Sequence, residues 1–233
     1  MLAQPRLGNN VDAAARASAR ARHLLTLYWA MPPRHRTNRE IEVKLRIDDL
    51  PGLLRKLKRL SARQRGRVLE QNTLYDTPDS DLRSRGGLLR LRVETPAPSK
   101  LVPGGAKGAL LTAKAPVPVS RPGRLRYKEK LERELAVQSP GRWPSALRAI
   151  GLRPTFRYEK YRTTFRLRGL HLDLDETPVG IFLELEGSPR SIDRAARALG
   201  FAPNAYINGT YWDLYAADCR RRGCHPANML FRA

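Results

Sequence analysis

The chain has 233 residues, 41% of them hydrophobic, enough to bury a real core in one large domain or two small ones, which excludes a compositionally disordered protein. Lysine and arginine number 44 against 22 acids, a formal net charge of +22, so the expected partners are anionic: a nucleotide, polyphosphate, nucleic acid or membrane surface. Two cysteines exclude a disulfide scaffold and suit a cytoplasmic protein, and no apolar run approaches the length of a membrane span.

Residues 1–36 are rich in Arg and Ala and hold one acid, Asp12. Their apolar patch, Leu24 to Ala30, lacks the small-residue cleavage site of a signal peptide. They read as a disordered extension, with Met31 as an alternative start. A strand follows at 39–47. In "REIEVKL" (39–45), Glu40, Glu42 and Lys44 share one face while Ile41, Val43 and Leu45 share the other, because residues two apart on a strand point the same way. Leu50, Leu53, Leu54, Leu57 and Leu60 then recur at helical spacing, with Asp49 placed to cap and Pro51 in the first turn. "RVLEQNTLYDT" reads as a strand closed by the turn residues "TPDSD", and "GGLLRLRVE" as another. Residues 95–109 are Pro- and Gly-rich and read as a loop. Their "GGAKG" lacks the spacing of a phosphate loop.

"ALLTAKAPV" is a strand and "SRPG" a turn. "RLRYKEKLERELAV" has the composition of a helix, but "KLERELAV" alternates, and the alternation decides for a strand. A helix runs through "RWPSALRAIG" to Gly151. "TFRYEKYRTTFRLRG" and "LHLDLDE" form a hairpin pair, "GIFLELEG" is a further strand, and "SPRSIDRAARALG" is a helix punctuated by Ser188 and Gly200. From about Ala217 the chain reads as a basic, unordered tail. Its Cys219, Cys224 and His225 fall short of the four ligands of a structural zinc site.

The period-two rule applies to every strand. It aligns Arg90 with Arg92, Thr112 with Lys114, and Lys130 with Glu132 and Glu134. It also aligns Lys160 with Arg162, Asp173 with Asp175, and Glu184 with Glu186. Seven strands, the first included, carry charge on one face and aliphatic residues on the other. The aliphatic faces must be covered. Helices can do that from outside, which leaves the charged faces looking into a closed barrel with a polar interior. Seven merely solvated faces would carry more Ser, Thr and Asn. Lone buried charges are expensive, so such an interior requires pairing, water, metal or ligand. Glu40, Glu42, Glu132, Glu134, Asp173, Asp175, Glu184 and Glu186 offer hard oxygens suited to Mg²⁺ or Mn²⁺. Lys44, Arg90, Arg92, Lys114, Lys130, Lys160 and Arg162 are suited to phosphate oxygens.

These residues resemble the CYTH superfamily, also called triphosphate tunnel metalloenzymes. The resemblance rests on Glu-x-Glu-x-Lys at 40–44, "QNTLYDTPDSDLRSRGGLLRLR" (71–92), "LLTAK" (110–114), "KLERE" (130–134), "KYR" (160–162) and "LDLDETPVGIFLELEG" (172–187). It spans roughly residues 37–215 and leaves 216–233 as a basic C-terminal tail. It implies an α+β fold: a closed eight-stranded antiparallel β-barrel, a tunnel with a few helices packed outside. It further implies Mg²⁺ or Mn²⁺ on the glutamates, a triphosphate-containing small molecule on the bases, and Glu40, Glu42 and Lys44 as the catalytic group. The family often has Arg where Lys130 stands, and the resemblance does not choose between Asp173 and Asp175. Metal-dependent hydrolysis of a triphosphate is the expected function. The alternatives are a class IV-type adenylate cyclase making cyclic AMP and pyrophosphate, and a non-catalytic polyphosphate- or RNA-binding module, which the basic tails would suit and the full set of carboxylates would not.

Overall fold

The computed structural model describes residues 38–99, 104–117 and 126–232. The N-terminal extension and the "SRPG" turn lie outside the described residues. Eight strands close into a barrel: β1 (Asn38–Ile47), β2 (Arg63–Asp76), β3 (Leu88–Pro96), β4 (Gly108–Pro116), β5 (Lys128–Ala136), β6 (Arg153–Leu167), β7 (Leu170–Thr177) and β8 (Gly180–Glu186). Their order around the barrel is β1-β5-β4-β3-β2-β6-β7-β8, and all neighbours are antiparallel. Closure leaves no free sheet edge. The expected polar-lined barrel is therefore the observed architecture.

The residues of β5 favour a helix, yet they form a strand because pairing overrides propensity. Across β1, Lys128 lies opposite Glu42 and Lys130 opposite Glu40; across β4, Glu132 lies opposite Lys114. Opposite charges at facing positions stabilise a ladder, and the alternation of this segment supplies one at Lys128, Lys130 and Glu132, while Glu134 faces Thr112.

Five α-helices among the described residues cover the outside: α1 (Leu50–Arg59), α2 (Asp81–Ser84), α3 (Trp143–Ala149), α4 (Pro189–Ala198) and α5 (Tyr211–Arg221). The Asp49 side chain accepts from Gly52 N–H and starts α1, and Ser188 accepts from Ser191 N–H and starts α4. Leu53 and Leu57 of α1 and Ile192, Ala195 and Ala196 of α4 bury the outward row Val43, Leu45, Leu172, Leu183 and Leu185. Leu147 of α3 packs with Leu89, Leu91 and Ala113 over β3 and β4. Each outward Leu so covered contributes roughly 1.5–3 kcal/mol. None of these helices is long and apolar enough to cross a membrane.

The C-terminal segment departs from the sequence reading. Instead of an unordered tail from Ala217, α5 continues to Arg221, started by a capping box in which Thr210 and Asp213 serve each other's backbone N–H. The chain then returns along β6, where Glu159 N–H donates to the Met229 carbonyl and Met229 N–H to that of Arg157, both at 2.9 Å. The cause is an aromatic cluster. Tyr211, Trp212 and Tyr215 pack with Phe156, Tyr158, Phe182 and the buried Met229. Apolar burial by a few residues outweighs the repulsion of the exposed arginines around them.

Candidate active site

Alternation along the strands fixes the lining. From Glu40 to Arg46 every inward position of β1 is charged, and the outward Ile41, Val43, Leu45 and Ile47 belong to the core, so turning the strand over would expose that core. All of the residues expected to bind metal or phosphate stand on this inward register. Glu40, Glu42, Lys44, Arg90, Lys160, Asp173 and Asp175 are buried. Glu134 and Lys130 are the less enclosed of these: the Glu134 side chain is 42% exposed and accepts from the Thr112 hydroxyl, while Lys130 donates to the Gly86 carbonyl.

One part of the lining is a closed network around Arg162. Its Nε and Nη2 fork onto the two oxygens of Asp175 at 2.7 Å each, and its Nη1 lies 2.7 Å from Asp173. Its guanidinium also meets Glu184, and its Nε lies 3.4 Å from Glu70. Lys160 joins at 2.8 Å from Asp175 and 3.5 Å from Glu70, Arg92 at 3.3 Å from Glu70, and Lys44 at 2.7 Å from Glu184. Tyr211 of α5 reaches in and donates its hydroxyl to Asp175 at 2.6 Å, with Lys44 and Lys160 each 4.8 Å from its ring centre. Burial alone would raise Glu70 and Glu184. The surrounding cations reverse the sign and hold both carboxyls below their ordinary value, Arg162 foremost for Glu70 and Lys44 for Glu184.

The other part is unbalanced. Glu40 pairs with Lys114 at 2.6 Å, Glu132 shares that lysine at 3.2 Å, and Glu42 pairs with Lys128 at 2.6 Å. Glu186 faces Glu42 across the β1–β8 ladder without a base at ion-pair distance among the described residues. Burial, and then the charge of Glu42, push the Glu40 carboxyl up to about 7. Burial also raises Glu186, with Glu132, Glu42 and Asp173 adding to it against His171. Glu42 is the exception: burial acts upward, but Lys128, then Lys44 and Lys114, bring it down to about 2.

Whether a divalent cation fits can be judged from these donors. Burial first, and the neighbouring carboxylates second, raise Glu40 to about 7, and hard oxygens are what Mg²⁺ and Mn²⁺ take. Among the described residues no three His, Cys, Asp or Glu side chains already converge on one point; lysine ammoniums occupy the space between them. The donor chemistry fits, with Glu40, Glu42, Glu132 and Glu186 as the residues that would hold the ion. On the basic side, the Nε–H groups of Arg90 and Arg92 are buried without a protein acceptor, which is uncommon for buried donors.

Several lining residues escaped the sequence reading. Glu70 is wholly buried at the centre of the Arg162 network, yet it is the one acid at an inward position of a mostly neutral stretch of β2. Lys128 was detectable, standing two positions before Lys130 on the same face. Tyr158, which accepts from Arg90 at 3.3 Å, also follows the alternation of β6. Tyr211 comes from a helix outside the barrel, and strand periodicity could not reveal it.

An antiparallel barrel whose lining sets acids against bases in a closed channel defines a charged-tunnel protein. A family model for the CYTH domain matches residues 38–200, and the chain belongs to the CYTH family. A search of curated proteins gave no match. Solved structures share the fold. A candidate adenylate cyclase from Vibrio parahaemolyticus is 19% identical with a TM-score of 0.63, the match covering 77% of this chain and 98% of that one. The PH1012 protein of Pyrococcus horikoshii is 23% identical with a TM-score of 0.58, covering 75% and 98%. A candidate adenylyl cyclase from Hippeastrum, described as having a dominant triphosphatase activity, is 19% identical with a TM-score of 0.51, covering 80% and 97%. At these identities the likeness is one of fold.

Proposed function

We propose that the tunnel binds a triphosphate and hydrolyses one of its phosphoanhydride bonds with the help of a divalent cation. The observation that carries this reading is a double surplus: buried Nε–H donors of Arg90 and Arg92 without acceptors, and three carboxylates sharing two lysines, with Glu186 beside them and no lysine or arginine at ion-pair distance from it among the described residues. A phosphate chain meets the first need and a cation the second. Arg90 and Arg92 would fork onto phosphate oxygens, and Lys114 and Lys128 would turn from the glutamates to the same chain. Lys44, Lys160 and Arg162 belong to the network that fixes the basic wall in place. When bound, a divalent cation neutralises phosphate oxygens and makes a bound water more acidic. Glu40, raised to about 7 by burial and then by Glu42, is the carboxylate suited to accept a proton from the attacking water. Asp175, saturated by Lys160, Arg162 and Tyr211, orients these groups, and Asp173 is the more available of the two aspartates.

A cyclase would use the same wall but attack the α-phosphorus of ATP with the ribose hydroxyl. The test is turnover of tripolyphosphate and of ATP with Mg²⁺ or Mn²⁺, followed by phosphate release and cyclic AMP formation. Phosphate released from tripolyphosphate supports hydrolysis. Cyclic AMP and pyrophosphate from ATP, without phosphate release, would replace it by the cyclase reading. Tight binding without turnover of either would leave a binding module.

A further inference from the structure

Five arginines surround a concavity of about 500 Å³ at one end of the barrel wall: Arg59 at the end of α1, Arg63 and Arg65 at the start of β2, and Arg166 and Arg168 at the β6–β7 hairpin. All five are exposed. None makes an ion pair with a carboxylate among the described residues. A basic chain scatters arginines over its surface, and most such residues are merely solvated. Elsewhere on this surface some arginines find acids: Arg39 meets Glu129, Arg67 meets Glu176 and Arg126 meets Asp193. Others, such as Arg55, Arg85 and Arg153, are exposed without an ion pair among the described residues, but they are not gathered in this number around one concavity. Here three separate elements bring only positive charge together.

The arrangement costs stability. Arg63 and Arg166 are direct partners across the β2–β6 ladder, and like charges at facing positions destabilise an antiparallel pair. Arg168 adds a charge at φ 47°, a conformation that Gly or Asn would adopt more easily. Register also places the cluster. Arg166 follows Arg162 and Thr164 at every second position of β6, and those two reach Asp175 and Asp173 inside the tunnel. Arg63 and Arg166 thus continue the inner wall to its end.

We infer that these arginines form a second phosphate-binding site, which takes a chain of condensed phosphate extending beyond the tunnel. Guanidinium forks match phosphate oxygens two at a time. The lining contains Leu60, Ser61 and Leu167 besides the arginines and no aromatic ring. Nucleic-acid surfaces that track a strand need such rings to stack bases, so a phosphate chain without bases fits better than RNA. The inference goes beyond the tunnel reading and rests on residues outside that proposed site.

The test is binding without divalent cations, so that turnover is silent. The probes are long-chain inorganic polyphosphate, tripolyphosphate and an unstructured RNA oligonucleotide, against wild type and the variant R63S/R166S/R168S. The variant removes repelling exposed charges, and we expect its unfolding temperature to match or exceed wild type. Its affinity for long-chain polyphosphate should fall at least about tenfold, the loss expected from one or more charge-assisted contacts, with tripolyphosphate affinity retained. Should the triple variant not fold, Arg168→Gly, which relaxes the backbone, should weaken long-chain binding about threefold or more by losing one such contact. Unchanged long-chain affinity in a folded variant would overturn the inference. So would RNA binding tighter than polyphosphate and lost in the variant, which would make the surface a nucleic-acid site. Tripolyphosphate hydrolysis with Mg²⁺, measured separately, reports on the tunnel alone, so either reading can fail without the other.

Discussion

The two parts of the tunnel lining are built from the same residue types and behave differently. Around Arg162, four acids (Glu70, Asp173, Asp175 and Glu184) meet four bases (Arg162, Lys160, Arg92 and Lys44), and a tyrosine completes Asp175. On the β1–β5 side, Glu40, Glu42 and Glu132 share Lys114 and Lys128, and Glu186 faces Glu42 with no lysine or arginine at ion-pair distance among the described residues. A matched buried network is a scaffold, tolerable because its charges satisfy one another. An unmatched one is held together against repulsion and gains most from an added cation. On the proposed reading the matched side shapes the tunnel and the unmatched side does its chemistry, with Arg92 between them: one nitrogen on Glu70 and a free buried Nε–H for phosphate.

Breaking the matched side should have the largest effect on folding. Arg162→Ala would take one cation from four buried acids at once, leaving Glu70, Asp173, Asp175 and Glu184 to their remaining partners. A loss of about 3–5 kcal/mol, or failure to fold, is expected in urea unfolding. A loss below about 1 kcal/mol, typical of exposed pairs, would make the network dispensable.

The pH dependence sharpens the contrast. Glu40 titrates near 7 in the fold against an ordinary 4.5, so its contribution is fully present below about pH 4.5 and is lost as pH rises through 7. Glu42 has the opposite sign: held near 2, it contributes above about pH 4.5 and loses that contribution as pH falls through 2. In cation-free protein, Glu40→Gln should remove a stability decline between about pH 4.5 and 7, a decline on the order of 3 kcal/mol. An identical pH profile for the variant would show that the Glu40 carboxyl is not raised by its buried setting.

Cation addition should act on the unmatched side only. With Mg²⁺ or Mn²⁺ at about 100 times its dissociation constant, the protein gains about 2.7 kcal/mol, read as a rise in unfolding temperature. Glu42→Gln should blunt that rise, whereas an undiminished rise would place the ion elsewhere. The smallest effect is expected at the seam between helix and barrel. Tyr211→Phe removes one hydrogen bond to a buried carboxylate and should cost about 1.5 kcal/mol without shifting the cation response. A lost cation response in this variant would tie α5 to the unmatched side instead.

Much of the barrel could be read from the chain because inward and outward positions alternate strictly on β1, β3, β7 and β8. Even β5, with its helix-forming Glu and Lys, gave itself away by alternation. Glu70 did not, since a single acid between Val68 and Asn72 carries no pattern and its importance comes from Arg92, Lys160 and Arg162 on two neighbouring strands. The α5 contribution was hidden by composition: the arginines of "CRRRGCH" masked the capping box at Thr210 and the aromatic residues just before them. Which acids are satisfied and which are crowded depends on partners distant in sequence, as with Glu40 and Lys114, 74 positions apart.

The most direct measurement is phosphate release from tripolyphosphate with Mg²⁺ or Mn²⁺ by wild type, Glu42→Ala and Arg92→Ala, each checked for folding. We expect release by wild type and a loss of at least about 10²-fold in either folded variant, since one residue belongs to the crowded acids and the other carries an unused buried donor. Full activity in either variant would contradict the assignment of this lining as the reactive site.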